Sequence, residues 1–93
     1  MRTAVIVTTY NRPDALAAVL EGYIAQTGAA FELIVADDGS TPDTREVIDR
    51  YVARAPFPLR HVRQEDLGFR AAAVRNRALA STAAEYIIFT DGD

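Results

Sequence analysis

The chain has 93 residues, a hydrophobic share of 49%, a charged share of 25% and a net charge of −3. That length allows one small domain with one core, and the composition, ordinary for a globular protein, argues against disorder. The acidic balance argues against non-specific nucleic-acid binding, and the absence of cysteine rules out disulfides, zinc–thiolate sites and a catalytic thiol.

The β-branched run Thr3 to Thr8 (TAVIVT) predicts a parallel strand buried on both faces. No charged-then-apolar leader precedes it, which argues against a secretory signal. Asn11-Arg12-Pro13 breaks the strand, and Pro13 suits the first turn of a helix. Leu16, Val19, Leu20, Tyr23 and Ile24 then recur at three- and four-residue spacing as one apolar stripe, which Thr27-Gly28 closes. A second strand reads Phe31 to Ala36 and ends in the acidic turn Asp37-Asp38-Gly39-Ser40. Thr41-Pro42-Asp43 opens a second helix with a capping hydroxyl, a proline and an acid near the positive end of the dipole. Its stripe is Val47, Ile48, Tyr51 and Val52.

Ala55-Pro56-Phe57-Pro58 forbids helix and makes a linker. Leu59 to Arg63 alternates apolar with basic residues, as an edge strand does, and holds the sole histidine, His61, which reads as a surface residue away from any crevice. Gln64 to Gly68 is a polar loop, an alanine-rich helix runs from about Arg70 to Ser81, and the last strand is Glu85 to Thr90. None of the apolar runs nears the roughly 20 residues that span a bilayer.

The order β-α-β-α-β-α-β predicts an α/β fold: an open, mostly parallel sheet with helices on both faces, in three layers. Right-handed crossovers give strand order 3-2-1, with the fourth strand on the other side of the first. Ligands bind such sheets at the carboxyl ends of strands, where the order reverses. Thr8-Thr9-Tyr10, Asp37-Asp38 and Asp91-Gly92-Asp93 all fall there. The apolar fourth strand would be an exposed edge if the sheet stopped with it, so the chain reads as half of a larger sheet.

The first loop, Thr9 to Pro13, has no glycine, so neither a dinucleotide fingerprint nor a Walker loop is present. It offers a ligand the side chain of Tyr10, whose ring suits a base. Asp91 and Asp93 stand one residue apart past a strand and can hold a hard divalent cation through oxygen. Arg75 lies between Val74 and Leu79 on the helical wheel, inside the apolar arc, where an arginine must snorkel or pair with a carboxylate; pairing is the expectation.

Together Thr8-Thr9-Tyr10-Asn11-Arg12, Asp37-Asp38-Gly39-Ser40, Gly68-Phe69-Arg70 with Arg75-Asn76, and Asp91-Gly92-Asp93 resemble the N-terminal, nucleotide-sugar half of family 2 glycosyltransferases. The resemblance implies the GT-A fold and a metal-dependent, mostly inverting transfer from a nucleotide-sugar, here a UDP-sugar. It would give Thr8 and Tyr10 to the nucleobase pocket, and Asp38 to the ring N–H of uracil. Arg70 would reach the base or the diphosphate. Asp93 would ligate Mn²⁺ or Mg²⁺, with Asp91 helping through ribose, water or the metal. Asp38 can equally be a turn residue bonding its own backbone, Arg70 a surface arginine, and Asn76 a bond to a neighbouring loop. Asp37 ranks lower for the base, because strand alternation points it the other way.

On this reading residues 1–93 are the donor-binding part, cut after the acidic triplet. The catalytic base and the acceptor site, for a saccharide, lipid or protein acceptor, are expected beyond Asp93. The expected location is cytoplasmic, with any membrane attachment made by other regions. Two other functions fit less well. A nucleotide-binding module without transfer needs the same pocket. An aspartate-nucleophile phosphatase would carry its Asp-x-Asp after the first strand, and here it follows the fourth.

Overall fold

Among the described residues four strands, three of them rich in β-branched and apolar residues and β3 mixing apolar with basic, pair in parallel in the order β3-β2-β1-β4. They are β1 (Thr3–Thr9), β2 (Glu32–Asp37), β3 (Leu59–Arg63) and β4 (Tyr86–Asp91). The computed structural model describes residues 2–26, 31–39, 41–63 and 71–91. The order is the one right-handed crossovers require, with β1 central and the reversal between β1 and β4. No described helix is long and apolar enough to cross a membrane.

Side-chain alternation divides the core between the two faces of the sheet. Val5, Val7, Leu33, Val35 and Leu59 face one side and pack against Leu16 and Leu20 of α1 (Pro13–Ile24) and Val47, Ile48 and Tyr51 of α2 (Pro42–Arg54). Ala4, Ile6, Ile34 and Ala36 face the other side and meet Val74 and Ala78 of α3 (Ala71–Ala80). Ala4 and Ala36 are small while Ile6 and Ile34 are among the largest fully buried side chains, and small Ala78 faces them from α3. Thr44, Val47, Ile48 and Tyr51 are the buried stripe of α2, at successive three- and four-residue steps. Val52, placed in that stripe by the sequence, is 48% exposed, because one residue past Tyr51 the helix has turned about 100° away.

The ends of the elements differ from expectation where the ladder outruns composition. Thr9, Asp37 and Asp91 look like loop residues, yet each closes a strand. Thr9 is paired with Asp37, and Thr8 with Asp91, so the backbone bonds of central β1 hold its neighbours extended to the last residue. The helix closure at Thr27-Gly28 lies outside the described residues, and α1 ends at Ile24. Arg70 and Gly68 also lie outside them.

Strand β4 has β1 as its one partner among the described strands and is left apolar on its outer parts. Tyr86, Ile88 and Phe89 are each about half exposed, as the sequence led one to expect of this edge.

Candidate functional site

The three strand ends at the reversal carry the polar residues. Thr8, half-buried, stands level with Ala36 of β2 and Asp91 of β4. Equal register and alternation put Thr8, Asp91 and Phe89 on the α3 side. There Thr8, Arg75, Phe89, Thr90 and Asp91 line an open hollow of 150 Å³. Asp91 is exposed.

Asp38 follows β2 and is 3% exposed. Its backbone N–H donates to the Thr9 carbonyl at 3.1 Å, which ties the end of β2 to the end of β1. Gly39 then turns the chain at φ 88, in the region that L residues avoid. Tyr10 sits one residue past β1 and is 36% exposed. The structure therefore gathers Thr8 and Asp91 around one hollow and sets Tyr10 and Asp38 on the adjoining strand ends. Arg70 and Asp93, the remaining residues singled out from the sequence, lie outside the described residues.

The first loop owes its shape to Asn11, whose distant partner the sequence did not show. Asn11 takes φ 51, a left-handed conformation that asparagine tolerates better than most residues. Its Oδ1 accepts the backbone N–H of Thr41 at 2.9 Å, so the β1–α1 loop is clasped to the start of α2. Thr41 is the N-cap of α2, but its hydroxyl does not cap the helix. It donates to Asp43 Oδ1 at 2.7 Å, and this bond is the largest cause holding the Asp43 carboxyl below its ordinary value. At α1 the cap position falls to Arg12, whose Nε pairs with Asp14 at 3.3 Å. The Ala15 backbone N–H, more than Arg12, keeps the Asp14 carboxyl below its ordinary value.

Two expectations about basic residues are corrected. Arg75 does not pair with a described carboxylate: α3 buries Val74 and Ala78, leaving Arg75 and Leu79 on an exposed flank. Its guanidinium rests 5.2 Å from the centroid of the Phe89 ring. His61 is no surface residue. Its side chain is 17% exposed, and its Nε2 lies 2.9 Å from Oδ2 of Asp37, whose side chain is 1% exposed. Asp37 does point away from Asp38, to the α1/α2 side, as alternation requires. There it borders a second hollow, of 270 Å³, with Thr41, Pro42, Arg45 and Arg63. Alternation alone put Asp37 on the same side as Val35, and His61 with Leu59. What the sequence lacked was the register that sets the two strands level.

A doubly covered parallel sheet with acids and a threonine at its strand reversal defines an open α/β domain of the kind that takes ligands at that reversal. The model of the family described as Glycosyl transferase family 2 matches residues 4–93, and the chain belongs to that family. It is 41% identical over 91 residues to a hyaluronan synthase of Pasteurella multocida, covering 97% of this chain and 9% of that protein. It is 40% identical over 90 residues to a validoxylamine A glucosyltransferase of Streptomyces hygroscopicus subsp. jinggangensis, covering 95% and 21%. Among solved structures, the mannosyltransferase PcManGT of Pyrobaculum calidifontis, in complex with GDP-Man and Mn²⁺, superposes with a TM-score of 0.86 at 30% identity. That match covers 99% of this chain and 27% of the other. S. aureus TarS in complex with UDP-GlcNAc gives 0.80 at 28% identity, over 100% and 27%. The neighbours have the GT-A fold, as expected from the sequence. This chain spans about a quarter or less of each of these proteins.

Proposed function

We propose that this chain is the donor-binding part of a metal-dependent, inverting glycosyltransferase that draws its sugar from a UDP-sugar. The observation that carries the proposal is the register at β1. With Thr8 level with Asp91, and Asp38 bonded through its backbone to Thr9, groups from three strands flank one strand end. A nucleotide laid there has Tyr10 for its base face, Asp38 as acceptor for the uracil N–H and Asp91 for the ribose, and the family resemblance assigns Arg70, outside the described residues, to base or diphosphate. The solved complexes of the two neighbours contain GDP-Man with Mn²⁺ and UDP-GlcNAc, which supports a nucleotide-sugar donor.

The donor set fits Mn²⁺ or Mg²⁺. No group of three acidic, histidine or cysteine ligands occurs among the described residues. A cation bridging a diphosphate needs only one or two carboxylates, because phosphate oxygens complete its shell. Asp93, with Asp91, would hold it. When bound it would supply electrostatic stabilisation to the departing diphosphate, a unit charge at about 4 Å being worth about 4 kcal/mol at an effective dielectric of about 20. In the transfer itself the acceptor oxygen bonds to the anomeric carbon from the face opposite the diphosphate. The carbon–oxygen bond to the diphosphate breaks with its electron pair, and the acceptor proton passes to a base. Asp38, Asp91 and Asp93 serve the nucleotide side, so the base is expected beyond Asp93.

Calorimetric titration of the full-length protein with UDP tests this. UDP is expected to bind far more tightly with Mn²⁺ than with chelator, and Asp93→Asn to remove most of that difference. Equal affinity in both buffers would overturn the metal assignment.

A further inference from the structure

We infer that His61 is a positioning residue for the nucleobase site, acting through Asp37 on the aim of Asp38; the inference rests on the uracil role proposed for Asp38. Asp37 and Asp38 are consecutive, and the alternation that puts Asp37 on the α1/α2 face turns the next residue to the other. Asp38 follows the strand and is 3% exposed, and Asp37 is buried on the α1/α2 side beside Thr41, Pro42, Arg45 and Arg63, with its side chain 1% exposed. A carboxylate so deep needs donors. His61 supplies one, from Nε2 to Oδ2 at 2.9 Å.

The register explains the reach. Val35 is level with His61, and Asp37 with Arg63, so the imidazole extends diagonally along the strand to the residue that ends β2. That end is held from both sides, by His61 through the Asp37 side chain and by the Thr9 carbonyl through the Asp38 N–H. Immediately afterwards Gly39 turns the chain. Two opposed anchors one residue apart fix the peptide between Asp37 and Asp38, and with it the direction of the Asp38 carboxylate. Without His61, the Asp37 carboxylate is drawn toward the 270 Å³ hollow beside it, where Arg45 and Arg63 stand. The end of β2 follows, and Asp38 loses its line to the base.

The test is titration of the full-length protein with UDP and with CDP in the presence of Mn²⁺, alongside thermal melts. His61→Leu is expected to weaken UDP by about five- to tenfold, the worth of one well-aimed hydrogen bond, and to shrink the preference over CDP by the same factor. His61→Gln, whose amide N–H can replace Nε2–H, is expected to restore both to within about twofold. In an Asp38→Ala background His61→Leu should cost nothing further in UDP affinity, because the residue through which it acts is gone. If His61→Leu does not fold, His61→Asn, whose amide falls short of Asp37, takes its place with the same expectation.

Full UDP affinity and full base preference in His61→Leu, with Asp38→Ala still impaired, would overturn this inference and leave the donor reading intact. An undiminished cost of His61→Leu on top of Asp38→Ala would do the same. A wild-type protein that binds no UDP overturns both.

Discussion

The Arg75 guanidinium lies over the Phe89 ring, 5.2 Å from its centroid, so a cation on an aromatic face ties α3 to the outermost strand. This contact sits at the wall of the hollow shared with Thr8 and Asp91, and both partners are exposed. Cation–π pairs at exposed positions contribute about 0.5–1 kcal/mol. Arg75→Gln is therefore expected to lower stability by about that amount in urea denaturation, and Phe89→Leu to make the loss of Arg75 nearly free. Additive losses in the double variant would show that the two side chains do not interact.

Asp38 is expected to govern base choice. An ionised carboxylate offers acceptors alone, so it favours a base edge presenting N–H and opposes one presenting a lone pair. Asp38→Ala should weaken UDP by about tenfold or more and narrow its advantage over CDP. A variant that keeps the full preference would make Asp38 a turn residue, and competition binding reads the difference directly.

A third expectation concerns acid. Arg54 Nη1 lies 2.7 Å from Glu21 Oε1 and joins the ends of α2 and α1 across the surface. Hydrogen bonding from Arg54, then from Tyr51, lowers the Glu21 carboxyl below its ordinary value of 4.5. A depressed folded-state value means that folding favours the charged form. The contribution is complete above pH 4.5 and fades as pH falls through the lowered value. Both groups are solvated, so the effect is small. Arg54→Ala should be slightly less stable than wild type near neutrality, and the two should converge in strong acid. Melting curves across that range would reveal it, and a gap that persists in acid would point to the Arg54 packing over the Tyr51 ring instead.

The 93 residues alone are expected to transfer no sugar, because in the proposed roles Asp38, Asp91 and Asp93 serve the nucleotide and its metal, while Asp37 at the end of β2 is bonded to His61. They should also associate through β4, where Tyr86, Ile88 and Phe89 stand half exposed beside an edge without a described partner on its outer side. Sedimentation over a range of concentrations checks the second point, and product formation from UDP-sugar and acceptor checks the first. Turnover by these residues would overthrow the division of roles.

Much of this was legible from residue order. The β-branched run at Thr3 to Thr8 and the stripe from Leu16 to Ile24 specify strand and helix by their periods, two and about 3.6, which depend only on near neighbours. The handedness of crossovers then dictates strand order without any contact being known. Hence the carboxyl-end positions of Thr8, Asp38 and Asp91 could be written down in advance.

Contacts between distant segments could not. Asn11 meets Thr41 across thirty positions, His61 meets Asp37 across twenty-four, and Arg75 lies over Phe89 from another element. Each depends on register and on how far a helix has rotated over the sheet, quantities settled when both faces of the sheet pack at once. A shift of one residue in the β2–β3 pairing would have sent His61 to the opposite face and left it the surface residue its sequence suggested. The sequence determined which elements form and in what order they lie; packing of the two cores decided which side chains meet.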